Sequence, residues 1–316
     1  MKQFLTFLLF IIYQLHVFGQ QDPINAQYMF NGMVINPAFA GNSDKLNFNY
    51  LNRRQLTNLT ITPIVQNFSI NAPFNYQRIG LGLYVVNEQY FIQNNTSINA
   101  VYAYKINFVN GTLAFGISGG LIQSKLDFSS LTIKDNQDLK NNSPNIIMPD
   151  LGTGLLYSDK KKYLGLSIQH MIPGSGDVGF KNSIYYSQTA HFYLIGGYRI
   201  HVSEYLQLVP SFLIRYTNKN LTIADFTIHT KYKNNYWIGF SARTSETISF
   251  QAGVNFNELL HLNQNLKLGY AYDWGFGSNL KQIGNSHEIM LILDLEFHPS
   301  PEKIKKKIVK SNPVFF

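Results

Sequence analysis

Cysteine is absent from the 316 residues, which rules out disulfide staples and thiolate metal sites. Charge is scarce as well. Asp, Glu, Lys and Arg together make 14% of the chain, against roughly 25% in an ordinary soluble domain. Tryptophan occurs only twice. Beyond Ile12 no apolar run approaches the ~18 residues that suggest a membrane-spanning helix. Helical heptads, a fixed-period repeat and a domain boundary are missing too, so a helical bundle and a repeat array are set aside.

Aromatics are abundant by contrast, at 15%, with 24 Phe and 20 Tyr. Mean hydropathy is nonetheless only −0.10, because uncharged Asn, Ser, Gln and Gly dilute the apolar residues. Many Tyr and Phe among small polar residues is the composition of a transmembrane β-barrel, whose girdles are aromatic and whose strands alternate. The net charge of +8 is concentrated in Lys2 and in the lysine-rich end, where Lys303 to Lys310 reads KIKKKIVK. The body is left with too small an excess for a nucleic-acid footprint, so no nucleic-acid partner is expected.

The chain opens with Lys2, the apolar run Phe4 to Ile12 and the small Gly19, the three-part layout of a secretory signal peptide over 1–19. Next comes QDPINAQYMFNGMVINPAFAG, Gln21 to Gly41, which keeps neither a helical nor a strand period. Pro23 and Pro37 forbid regular pairing, and Tyr28, Phe30 and Phe39 need a surface to bury against. A segment over 20–45 is therefore expected in the periplasm or packed into the barrel mouth.

Period-two alternation then dominates. In ISFQAGVNF, Ile248 to Phe256, Ile248, Phe250, Ala252, Val254 and Phe256 oppose Ser249, Gln251, Gly253 and Asn255. In LKLGYAYDW, Leu268, Tyr270, Tyr272 and Trp274 oppose Lys267, Gly269, Ala271 and Asp273; in HEIMLILDLEF, Ile289, Leu291, Leu293, Leu295 and Phe297 oppose Glu288, Asp294 and Glu296. The pattern predicts an antiparallel transmembrane barrel over 46–297 with about fourteen strands. They fall near 46–51, 65–72, 80–86, 96–106, 111–124, 150–158, 163–170, 189–200, 206–216, 222–231, 236–242, 247–256, 266–274 and 286–297. The even count suits a bacterial single-chain barrel. With the first strand rising from the periplasm, the outward connections are generally the longer ones, led by 125–149 and 171–188. Asn110-Gly111, Asp159 to Lys162 and Lys233 to Asn235 carry turn chemistry for the inward side. Pro210 lacks a ladder donor and is expected near a strand end or bulge. The tail over 298–316 should hang in the periplasm.

Chemistry is weakly signalled. Gly116-Ile117-Ser118-Gly119-Gly120 matches G-x-S-x-G, but a nucleophile elbow needs a sharp strand-to-helix turn and this match lies within an alternating strand. The eight His lack zinc-helix spacing. Asp135 to Asp138 is acidic without the spacing of a calcium loop. Lumenal charges such as Lys267, Asp273, Glu288, Asp294 and Glu296 could line a pore or pair with a plug. No cofactor and no catalytic residue is expected.

The sequence QYMFNGMVINPAFAG, Gln27 to Gly41, resembles the mature N-terminus of the PorP/SprF family of type IX secretion outer-membrane proteins of Bacteroidota. The matching residues are Gln27-Tyr28, Phe30-Asn31 and Asn36-Pro37-Ala38-Phe39-Ala40-Gly41. Further matches are Arg53-Arg54-Gln55, Gln66-Asn67-Phe68-Ser69, Tyr102-Ala103-Tyr104-Lys105 and His287 to Leu291. The resemblance implies a non-enzymatic barrel in outer-membrane lipid that works in secretion, gliding or surface-adhesin export. Its implied partners are periplasmic ring components and a secreted adhesin-like substrate. It marks Gln27, Tyr28, Phe30, Asn31, Asn36, Pro37, Phe39, Gly41, Arg53, Arg54 and Gln55 as a candidate interaction segment. A passive channel for small solutes is the alternative.

Overall fold

A computed structural model describes residues 25–59, 62–74, 78–127, 145–173, 175–177, 185–217, 221–257, 264–277 and 284–297. The leader, the Asp135 to Asp138 loop and the basic tail lie outside them. Fourteen antiparallel strands form the wall: β1 Lys45–Arg54, β2 Ile64–Phe74, β3 Ile79–Tyr90, β4 Gln93–Asn107, β5 Thr112–Leu126, β6 Asn145–Ser158, β7 Lys162–Gln169, β8 His191–Tyr198, β9 Leu206–Thr217, β10 Leu221–Tyr232, β11 Tyr236–Arg243, β12 Thr247–Asn255, β13 Asn265–Gly275 and β14 Ser286–Glu296. Each pairs with its sequence neighbours, and β1 pairs with β14 from Lys45 opposite Glu296 to Arg54 opposite His287. The sheet therefore closes on itself and leaves no long free edge between first and last strands.

Alternation places the side chains as the pattern requires. Phe250, Ile289 and Trp274 face out and are exposed, while Ser249, Gln251, Glu288 and Asp273 face in and are buried. Apolar outer residues run round the wall, for example Leu83, Ile98, Ile117, Leu166, Phe226 and Ile238. A closed barrel with an apolar outer face crosses a membrane with its strands; no helix among the described residues is long and apolar enough to cross one. Exposed Tyr205, Tyr232 and Tyr236 cluster at one end, with the Lys233 ammonium 5.4 Å from the Tyr205 ring, and exposed Phe91, Trp274 and Phe276 lie at the other. Exposed aromatics of this kind belong at the lipid–water interfaces.

The strand ends that flank connections 55–63, 127–144, 170–190 and 276–285 lie at one end, called here the long-loop end, and those that flank 75–78, 108–111, 159–161 and 233–235 lie at the other. Lys233 and Asn234 take φ of 50° and 57°, the left-handed pair that a tight hairpin needs.

Three expectations change. The outward connection foreseen at 87–95 is a two-residue turn at Phe91 and Ile92, since β3 and β4 continue beyond the apolar pattern. Their polar tips hold together because Asn87 donates to Asn94 Oδ1 at 2.7 Å and to Thr96 Oγ1 at 2.8 Å. The strand foreseen at 189–200 breaks at Arg199, leaving the short piece Ile200–His201. Pro210 is the cause, although it lies within β9 rather than at its end. Gly197 faces Ser211 and Ile200 faces Leu208, so the register is continuous, but Pro210 opposite Tyr198 has no N–H to give.

Candidate functional site

Residues 25–42 fill the lumen. They form a 3-10 turn at Tyr28–Phe30, one α-helical turn at Gly32–Ile35 and a second 3-10 turn at Pro37–Phe39. Elements this short satisfy few of their own backbone groups, so the wall must supply partners.

At the start of the plug those partners are charged. The Ala26 and Gln27 amides donate to the two Glu288 carboxylate oxygens at 2.8 and 2.9 Å, and Gln251 donates to the Ala26 carbonyl at 2.9 Å. Glu288 in turn pairs with Arg53 at 3.2 Å, Arg53 with Asp273 at 2.6 Å, Asp273 with Arg243 at 3.7 Å and Arg243 with Asp225 at 2.9 Å. This ladder spans five strands inside the lumen, and every member side chain is 7% exposed or less. Tyr28 lies at its far end near Ser211, Thr227 and Asp225. Burial first, and then the Asp225 charge, push the phenol above its ordinary pKa, so it stays neutral.

The middle is mostly apolar. Phe30 packs on Trp237, ring centroids 5.2 Å apart, and edge-on to His229 at 5.7 Å. Met33 inserts among Ala40, Tyr84, Val101 and Ala103. Asn31 accepts from Ser69 Oγ at 3.0 Å.

At the end of the plug backbone meets backbone. Asn36 is fully buried; its amide donates to the Leu155 and Leu166 carbonyls at 2.9 and 3.2 Å, while its Oδ1 caps Ala38 N at 2.9 Å. Ser167 and Gln169 both donate to the Ile35 carbonyl. Gly116 abuts Ala38, and Gly80 abuts Ala40, so closely that neither strand position has room for a Cβ. Gly41, at φ +60°, donates to Asn71 Oδ1 at 3.0 Å, and its carbonyl accepts from the buried Lys105 ammonium.

The plug separates two spaces. A cavity of about 370 Å³ faces the long-loop end, floored by Tyr28, Asn31, Val34 and Ile35 and rimmed by Glu88, Gln93, Asn95, His170, Gln188 and Thr189. Beside it the buried Asp150 carboxylate lies 2.9 Å from His170 Nδ1 and accepts from Asn99 and Gln188, each at 3.1 Å. A recess of about 100 Å³, lined by Met33, Ser43, Asn47 and Asp294 among others, faces the other end.

The candidate segment is thus brought together, but inward. Gln27, Tyr28, Asn31, Asn36, Pro37 and Gly41 are buried, Phe30 and Phe39 are partly buried, and Arg53 is buried in the ladder. Arg54 faces out and is exposed, and Gln55 begins the next connection, donating to the Pro63 carbonyl. Of the lumenal charges, Glu288 holds the plug, Asp273 joins the ladder and Lys267 pairs with Asp294 at 3.5 Å, whereas Glu296 is exposed at the strand end. Ser118 lies within the continuous β5, buried, donating to Gln169 at 3.3 Å, without the turn a nucleophile elbow needs. Arg243, Asp225 and the Asp150–His170 pair were not singled out from sequence, and Lys105 stood only within a family match, with no contact assigned to it. Inward alternation was the available signal, but it assigns no partners.

A family model described as type IX secretion system membrane protein PorP/SprF matches residues 17–293. No curated protein matches. Among solved structures the chain resembles a deltaS2S3 mutant of the monoaromatic hydrocarbon channel TodX, with TM-score 0.50 and 11% identity over 86% of this chain and 95% of that one. It also resembles the monoaromatic hydrocarbon channel CymD, at 0.49 and 12% over 89% and 95%. The Pseudomonas putida toluene transporter TodX gives 0.46 and 11% over 90% and 100%. Such identities speak for the fold alone.

Proposed function

The chain belongs to the PorP/SprF family of type IX secretion system membrane proteins, and from that premise we propose that it serves the secretion system by binding rather than by conduction or catalysis. In this reading the long-loop end engages an exported adhesin-like protein. The short-turn end and the basic tail meet periplasmic ring components. The observation that carries it is the plug: a lumen occupied by residues 26–41, bonded to strands around the wall, supports a scaffold more than an open pore. A secretion-family barrel whose one nucleophile-like motif lies in an unbroken strand also speaks for a non-enzyme.

Affinity isolation from native outer membranes, followed by mass spectrometry, tests the partners. Ring components or a large exported protein should be recovered, and the absence of both would sink the reading. In planar bilayers the purified protein should show no steady conductance. A stable open pore would favour the passive channel for small solutes.

A further inference from the structure

Gln188 lines the long-loop cavity and is only 6% exposed. Its Nε2 donates to Asp150 Oδ1 at 3.1 Å and lies 3.1 Å from His170 Nδ1. A carboxylate can only accept, so Asp150 takes the amino side of the amide and leaves the oxygen to point elsewhere. Asn99 fixes the other Asp150 oxygen at 3.1 Å. Gln188 Oε1 is then a buried acceptor without a donor among the described residues, and so is Asn25 Oδ1 on the same cavity. Such atoms are costly to leave unmet.

The rest of the lining is rings and neutral amides. His170, held at a φ of 56° that is uncommon outside glycine, stands edge-on to His191 at 5.5 Å, and His191 stacks on Tyr193 at 6.2 Å. Tyr84 and Tyr90 contribute two more rings from β3, and Asn67, Gln93, Asn95 and Gln169 contribute amides. Glu88 is the one carboxylate of the described lining, which holds no Lys or Arg.

We propose that the long-loop cavity binds a neutral mono- or disaccharide. Sugar hydroxyls donate to Gln188 Oε1 and Asn25 Oδ1 and accept from the amide NH₂ groups, while the apolar faces of the sugar ring pack on the His and Tyr rings. The volume of about 370 Å³ lies within the ~300–1,000 Å³ of small-molecule sites. Other occupants fit less well. A hydrocarbon would leave both acceptors unmet, and a phosphate would bring further acceptors to a wall without a cation. An extended peptide needs a free strand edge to satisfy its backbone. Along β2 to β5, which supply much of the wall, every strand is paired on both sides, with Arg54 opposite Ile64, Ile64 opposite Gln89, Tyr90 opposite Gln93 and Lys125 opposite Asn145.

The site does not depend on which end of the barrel faces outward. In lauryldimethylamine oxide, a detergent without a sugar headgroup, the purified full chain should give saturation-transfer NMR signals with maltose, lactose or N-acetylglucosamine. Silence from all of them overturns the proposal. Asn25→Ala and Gln188→Leu each remove an acceptor and should weaken the bound sugar about tenfold. Ser97→Trp, which fills the cavity, should abolish the signal, whereas Ser43→Trp in the short-turn recess should leave it unchanged. Unaltered affinity in both acceptor variants, or a signal that survives Ser97→Trp, places the sugar elsewhere and overturns the site. A blocked neutral tetrapeptide of serine, asparagine, glycine and threonine should fail to displace the sugar. Displacement by it would make the cavity a polypeptide site and overturn the saccharide assignment.

Discussion

The two ends of the plug are held by different physics. Residues 26–28 sit on a charged ladder contributed by β1, β10, β11, β13 and β14, whereas residues 36–41 are wedged against small residues and carbonyls of β3 to β7. A buried ion pair is a poor source of net stability, yet it is costly to break, because the surviving charge has lost its solvent and its partner. Close backbone approach fails differently. It tolerates loss of a hydrogen bond but not added volume. The ladder therefore selects which residues stand opposite one another, and the wedge selects their size.

The sharpest break in this comparison comes from the ladder. Arg53→Ala removes the cation that stands between Asp273 and Glu288, and urea titration in lipid should show a loss of about 3–5 kcal/mol. Arg53→Lys should recover only part of it, because a point charge cannot bridge two carboxylates as a planar fork does. On the wedge side, Gly116→Val puts a branched side chain into Ala38 and should cost about 1–3 kcal/mol. If the strain is relieved by expelling the plug, steady conductance should appear in planar bilayers. Asn36→Ala leaves the Leu155 and Leu166 carbonyls and the Ala38 amide without that partner, and a similar loss of about 1–3 kcal/mol is expected.

Glu288→Gln separates the two ends. Hydrogen exchange at Ala26 and Gln27 should rise while that at Ala38 and Gly41 holds; a uniform rise would mean that the plug opens as one unit. The smallest effect is expected for Ser118→Ala, about 1 kcal/mol from its bond to Gln169, with secretion of the exported partner unchanged. Abolished secretion in a folded variant would revive a nucleophilic role.

Much of the wall could be read from neighbouring residues. Every barrel strand was foreseen, because alternation records which side each residue faces and requires no knowledge of its partner. The misjudged segments lay where that signal fades or where another strand intervenes. Asn87 and Asn94 extend a hairpin beyond the lipid, where the apolar face stops, and Pro210 interrupts the strand beside its own. The Asn36 to Gly41 motif was recognisable, yet its reason was not: it is small and turn-rich because it lies against Gly80 and Gly116.

The sequence by itself determined the barrel, its strand number and which side chains face lipid, since these follow from a period of two repeated locally. Tertiary structure alone decided that the irregular N-terminal stretch turns inward, that Glu288 receives the amides of Ala26 and Gln27, and that Arg53 stands between two carboxylates. Those partners lie more than two hundred residues apart in the chain. Only closure of β1 on β14 brings them together, and a charge in a low-dielectric lumen must find whichever opposite group that closure places beside it.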